Sequence, residues 1–70
     1  MEIRKTFASN LRLMRQTKGL SQEELAHRAE IDRTYVSSLE RGIYSPSIDV
    51  LEKLASALGV SPGELIRPHE

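Results

Sequence analysis

Three glycines divide this chain into short helical segments, and this punctuation constrains the fold more than any other feature of the sequence. Gly19, Gly42 and Gly59 each follow a segment with apolar residues at helical spacing. A glycine in this position readily adopts the left-handed conformation that ends many helices. No segment shows the strict alternation of apolar and polar residues that marks a half-buried strand. The sequence therefore predicts an all-α fold.

Polar residues that favour helix N-termini open four of the segments. These residues are Ser21, Asp32, Ser47 and Ser61. Ser21 also forms, with Glu24, the S-x-x-E pattern of a capping box, in which each side chain accepts a hydrogen bond from the other residue's backbone N–H. We expect five helices. Their ends are predicted near Lys18, Ala29, Arg41, Gly59 and Arg67.

Apolar residues at helical spacing predict which face of each helix is buried. The expected inward residues are Ile3, Phe7, Leu11 and Met14 in the first helix, Val36 and Leu39 in the third, and Ile48, Leu51, Leu54, Ala55 and Leu58 in the fourth. A chain of 70 residues has room for one small core. We therefore expect residues 1–70 to form a single domain, and we expect self-association to add to its limited stability.

Composition excludes several classes of protein. The chain has no cysteine, so it forms no disulfide and no thiolate metal site. Residues 1–10 lack the apolar core of a signal peptide, and no apolar run approaches the roughly 20 residues of a membrane span. We expect a cytoplasmic protein without membrane contact. The net charge is zero, with eight basic against six acidic residues in 1–41 and two against four in 42–70.

The second and third helices are the part of the chain that suggests a function. Both are short, and residues 30–32 join them in a tight turn. Such a pair crosses steeply, as in a helix-turn-helix, so that the second helix can enter the major groove of DNA. With Val36 and Leu39 inward, the outer face of that helix carries hydrogen-bonding side chains. They are Arg33, Thr34, Ser37 and Ser38.

Three motifs extend this interpretation to a known family. They are S-Q-E-E-L-A at residues 21–26, V-S-x-L-E-R-G at 36–42 and P-S-x-x-x-L at 46–51. Together they resemble the phage-repressor-like (XRE/Cro-type) helix-turn-helix transcriptional regulators, from about Phe7 to Leu65. The stretch D-R-T-Y-V-S at 32–37 also resembles the controller proteins of restriction-modification systems. The resemblance implies a compact five-helix lambda-repressor-like DNA-binding domain.

The resemblance also implies roles for single residues. Gln22 would bind a DNA phosphate and brace the residue that opens the recognition helix, which spans about 32–41. The resemblance further implies base-edge contacts for Arg33, Thr34 and Ser38, and positions nearer the DNA backbone for Tyr35 and Ser37. Arg41 and Tyr44 are candidate backbone contacts. Arg15 and Glu40 match an ion pair that the family uses to orient its helices.

One residue departs from the family pattern. The family usually has glycine in the turn after the second helix, where this chain has Glu30. A residue with a Cβ in left-handed conformation costs about 1 kcal/mol. The turn is therefore either strained or slightly different in geometry, and in both cases it affects the tilt of the third helix.

Two other classes of function compete with DNA binding. Against an enzyme, His27 and His69 are far apart and neither has a metal-ligand or nucleophile pattern around it, so we expect no catalysis, cofactor or metal. A protein-interaction module, such as an antitoxin or coactivator adaptor, is the alternative on the same fold. The polar face led by Arg33 favours DNA, because a partner-binding helix would present apolar anchors there.

The C-terminal end suggests a homodimer. Neighbouring helical residues point about 100° apart, so a short fifth helix that buries Leu65 leaves Ile66 exposed beside Val60. We expect a second copy to cover this region, with Val60, Leu65 and Ile66 at the interface. Two recognition helices related by a two-fold axis would bind double-stranded DNA at an inverted repeat.

Overall fold

Five α-helices form the fold in the computed structural model, which describes residues 2–68. They are α1 (Ile3–Thr17), α2 (Gln22–Ala29), α3 (Arg33–Glu40), α4 (Ile48–Leu58) and α5 (Pro62–Ile66). The described residues contain no strand, so the all-α prediction is confirmed and the helix ends agree closely with those expected. The prediction that His69 has no role concerns a residue outside the described range.

The helix starts follow the capping chemistry that the sequence predicts. The Ser21 hydroxyl accepts a hydrogen bond from the Glu24 backbone N–H at 3.0 Å, and the Glu24 carboxylate accepts one from the Ser21 N–H at 3.0 Å. These backbone and side-chain hydrogen bonds with Ser21 lower the pKa of Glu24. The Asp32 carboxylate caps α3 by accepting from the Thr34 N–H at 2.7 Å.

The left-handed residue that ends α2 is not a glycine, unlike the one that ends α4. Gly59 closes α4 in left-handed conformation with φ of 72°. Glu30 closes α2 in the same conformation, with φ of 58° and ψ of 44°. Of the two alternatives for this turn, the structure therefore shows the strained one, and the strain costs about 1 kcal/mol.

The core lies where the five helices converge. Helix α1 packs on α3 and α5, α2 packs on α3 and α4, and α4 packs on α5. The largest fully buried side chains are Phe7, Leu11, Leu25, Val36, Leu39, Leu54, Leu58 and Leu65. Burying one such side chain contributes about 1.5–3 kcal/mol. Val36 and Leu39 thus hold α3 to the core through one face and leave its opposite face outside.

Two residues predicted to be inward are exposed. Ile3 is 52% exposed and Ile48 is 84% exposed. Each is the first residue of its helix, where the helix extends past the elements that cover its apolar face. Met14 and Leu51 are half-buried against the core. The helical spacing gave the correct face, but burial stops before the helix does.

The short helix α5 is held more firmly than the sequence indicates. Asn10, a buried polar residue of α1, donates its amide N–H groups to the carbonyl oxygens of Leu65 at 3.0 Å and Arg67 at 2.7 Å. Leu65 is fully buried within its own protomer. Its predicted place in a dimer interface is therefore wrong, because it has no surface left to bury. Ile66, predicted to be exposed, is half-buried against the core.

Candidate nucleic-acid interface

The outer face of α3 carries the side chains that the sequence predicts. Residues 33, 34, 37 and 38 share one side of the helix, because residues four apart are neighbours on a helix surface. Arg33 and Thr34 are exposed, and Ser37 and Ser38 are half-buried. Tyr35 lies at the edge of this face and packs partly against the core. The face is therefore polar, and its side chains are most exposed at the N-terminal end of α3.

A hydrogen-bonded network anchors the other end of α3. The Arg15 guanidinium donates two hydrogen bonds to the Glu40 carboxylate, at 2.6 and 3.0 Å, and a third to the Leu20 carbonyl at 2.8 Å. The hydrogen bond to Glu40 raises the pKa of Arg15. Only 12% of the Arg15 side chain and 4% of the Glu40 side chain are exposed. The pair implied by the resemblance is present, and it ties α3 to α1.

Gln22 joins this network rather than the start of α3. Its side-chain amide donates to Glu40 Oε1 at 3.2 Å. The resemblance implies that Gln22 braces the residue that opens the recognition helix, whereas the hydrogen bond found here joins Gln22 to the last residue of α3. The reason lies in the crossing of the helices, which brings the first residue of α2 beside the end of α3. An amide nitrogen carries two N–H groups, so one remains to donate elsewhere.

The segment after α3 extends the exposed surface. Arg41, at the C-cap of α3, is exposed. Ile43 is 45% exposed and Tyr44 is 56% exposed. Arg4 Nε donates to the Ser45 hydroxyl at 3.2 Å, which connects the start of α1 to this loop. No local sequence pattern predicts this contact, because the two residues are 41 positions apart.

Two properties of the described residues bear on the other classes of function. Within residues 2–68, no three or more His, Asp or Glu side chains are grouped so that they could hold a metal ion. His27 is an exposed residue of α2. Across the same range, no helix combines the length and apolar character needed to cross a membrane.

Comparison with known proteins agrees with this geometry. The helix-turn-helix family matches residues 11–65. The HTH-type transcriptional regulator y4dJ of Sinorhizobium fredii is 47% identical over 70 residues, which cover 100% of this chain and 91% of that protein. A hypothetical transcription factor of Neisseria meningitidis is 46% identical over 69 residues. These cover 99% of this chain but only 65% of the Neisseria protein.

Solved structures agree in fold and in sequence. The crystal structure of the hypothetical transcription factor from Neisseria has a TM-score of 0.92 at 46% identity, covering 96% of this chain and 77% of that one. The restriction-modification controller protein C.AhdI from Aeromonas hydrophila has a TM-score of 0.86 at 45% identity, covering 89% and 94%. Both predicted resemblances are confirmed, and the chain belongs to the helix-turn-helix family of DNA-binding transcriptional regulators.

Proposed function

We propose that this regulator binds a specific double-stranded DNA site by placing α3 in the major groove. The observation that carries the proposal is the division of α3 into a buried face with Val36 and Leu39 and an exposed polar face that begins with Arg33. Nothing on this polar face favours the alternative of a protein-interaction module. The absence of cysteine is compatible with the reducing cytoplasm, which we propose as its compartment.

We assign base contacts to the open end of α3. Arg33 suits guanine, because its guanidinium can donate to O6 and N7 together. Thr34 and Ser38 are the further candidates for base edges, since hydroxyl groups both donate and accept hydrogen bonds. A short polar side chain brings the helix close to the bases. These three residues would therefore determine which sequence is preferred.

We assign phosphate contacts to the residues that surround α3. Gln22 keeps one amide N–H after its bond to Glu40, and the N-terminus of α2 adds free backbone N–H groups. The remaining candidates are Tyr35, Ser37, Arg41 and Tyr44. Such contacts fix the position of the protein on the duplex but carry no base information.

Selection from a random pool of duplex DNA tests this function. The wild-type protein should enrich one short sequence motif, and footprinting should show protection centred on it. The same protein with Arg33→Ala should enrich a motif that is relaxed at one base position. If the wild-type protein recovers only random sequence at every salt concentration, specific DNA binding is refuted.

We further propose that a second copy of the chain covers an apolar patch formed by Ile3, Ile48, Leu51 and Ile66. Three of these residues line a groove of about 220 Å³ between α1, α4 and α5. Ile48, one helical turn before Leu51, is 84% exposed beside it. Of the predicted interface, this patch keeps Ile66. Val60 is half-buried against the core and does not line the groove, and Leu65 is fully buried.

A two-fold dimer gives this patch a role in recognition. It would present two copies of α3 about 34 Å apart, one turn of B-DNA, and would require an inverted repeat in the selected motif. A second copy also adds buried apolar surface to a core that is small for an independent domain. The proposed dimer therefore has two measurable consequences: self-association of the protein and an inverted repeat in its DNA motif.

Sedimentation of the Ile48→Glu variant tests the dimer. Because Ile48 is almost fully exposed, the substitution leaves the protomer core intact, and only a dimer that buries it should be lost. Leu13→Glu is the matched control, since Leu13 is 54% exposed on α1 and lies outside the patch. A wild-type monomer at all micromolar concentrations, or equal behaviour of the two variants, refutes this interface.

A further inference from the structure

A second groove of about 590 Å³ lies between α1 and the C-terminal end of α3. One side of α1 forms its wall, with polar residues that recur at spacings of three and four. These are Lys5, Ser9, Arg12 and Gln16, and Ala8 and Leu13 lie between them on the same wall. Arg41, directly after α3, closes the opposite side. Of the residues proposed above to contact DNA, Arg41 alone lines this groove.

The groove concentrates positive charge in a chain whose formal net charge is zero. Lys5, Arg12 and Arg41 are all exposed. Glu40 also lines the groove, but its carboxylate is already paired with Arg15 through two hydrogen bonds. Its charge is therefore compensated from within the fold. The three exposed cations leave a local excess of positive charge that suits an extended anion.

We propose that this groove binds the phosphate backbone of the same DNA, outside the bases that α3 reads. The inference rests on the proposed function, and it lengthens the site to which the regulator binds. Glu40, which lines the groove, accepts a hydrogen bond from the Gln22 side-chain amide at 3.2 Å. Arg41, which also lines the groove, follows directly after α3. The groove therefore adjoins Gln22 and Arg41, two of the proposed phosphate contacts.

The chemistry of the lining suits a nucleic-acid backbone. Cations together with the Ser9 hydroxyl and the Gln16 amide are the groups that contact phosphate oxygens in protein–DNA complexes. Lys5 and Arg12 are two turns apart on α1, about 10 Å, which matches the rise of roughly three base pairs of duplex. Each strand of duplex DNA carries one phosphate per about 3.4 Å of helix axis, so one backbone that runs along this groove would meet both side chains.

A double variant with a charge-matched control tests the groove. Lys5→Gln with Arg12→Gln removes two exposed cations from it. Arg28→Gln with Lys53→Gln removes two exposed cations from a cleft between α2 and α4. The probe is the duplex recovered by random-pool selection, made once with flush ends and once with flanks of about 10 base pairs. Affinity is measured across a series of salt concentrations, and binding to polyglutamate is measured alongside.

The expected result concerns only the flanked duplex. There the groove variant should reduce the slope of log affinity against log salt by about 0.9 for each phosphate that it no longer neutralises, hence by about two per protomer. Wild type and control should bind the flanked duplex more tightly than the flush one, whereas the groove variant should not distinguish them. Circular dichroism should show unchanged helix content in both variants.

Other results overturn the proposal. An unchanged slope in the groove variant shows that no phosphate is held there. An equal reduction of the slope in the groove variant and in the control shows an effect of net charge alone. A reduction in affinity that is the same on flush and flanked duplexes places the phosphates inside the recognised bases. Loss of polyglutamate binding with an unchanged DNA slope assigns the groove to an acidic protein instead. Failure of the wild type to select any site refutes the proposed function itself.

Discussion

The two ends of α3 are held in opposite ways. At the C-terminal end, Glu40 is 4% exposed at its side chain and accepts hydrogen bonds from Arg15 and Gln22. At the N-terminal end, Arg33 and Thr34 are exposed. Three elements meet at the first end, whereas the cap from Asp32 and the turn at Glu30 form the second.

This difference separates two requirements of recognition. A helix that reads bases must enter the groove at a fixed angle, and a network of hydrogen bonds between helices supplies that angle at the Glu40 end. Its reading side chains must also reach the base edges, which requires that they stay free of the core. We therefore expect substitutions at the Glu40 end to affect stability and all DNA binding, and those at the Arg33 end to affect sequence preference.

The largest effect is expected for Glu40→Ala. It leaves the guanidinium of Arg15 in a shielded position with the Leu20 carbonyl as its remaining acceptor. Removing one partner of a shielded pair should lower the free energy of unfolding by about 3 kcal/mol. Chemical denaturation measures this loss. Glu52→Ala, at an exposed position of α4, should change it by less than about 0.5 kcal/mol, and similar losses in both would show that α3 is not anchored here.

Arg33→Ala should break recognition without affecting the fold. Loss of a bidentate contact to guanine should cost about 2 kcal/mol at one base position, and binding to random DNA should weaken far less. Competition binding with single-base variants of the selected motif measures this. Equal losses on selected and random DNA would make Arg33 a phosphate contact and would remove the distinction between the two ends.

Gln22→Ala should have the opposite pattern to Arg33→Ala. It removes a phosphate donor and one hydrogen bond to Glu40, so binding should weaken by about 1.5 kcal/mol on every sequence alike. Titration of the selected duplex and of random duplex gives the two losses side by side. A change in the preferred base at one position, with overall affinity intact, would place Gln22 in the groove with the reading residues.

The smallest effect is expected at the turn before α3. Glu30→Gly relieves the left-handed strain of about 1 kcal/mol, part of which is offset because glycine loses more backbone entropy on folding, so a gain of about 0.5 kcal/mol remains. Gly59→Ala, at a glycine with the same backbone conformation, should instead destabilise. Thermal unfolding of both variants measures the two changes in stability, and a destabilised Glu30→Gly protein would contradict the assigned strain.

Some features of the site were open to prediction and others were not. The outward position of Arg33 follows from the buried spacing of Val36 and Leu39 alone. The pair of Arg15 and Glu40 came from the family resemblance, because no local pattern relates residues that are 25 positions apart. The bond from Gln22 to Glu40 was missed, since it depends on how closely α2 crosses α3.

The positions where the helices begin and end follow from local sequence. Capping boxes, N-caps and glycine stops act through hydrogen bonds and backbone conformations within about four residues, so they can be recognised along the chain. Tertiary structure alone decided how far burial extends along each helix. It exposed Ile3 and Ile48, half-buried Ile66, and formed the groove between α1 and α3, because these outcomes depend on contacts between segments that are distant in sequence.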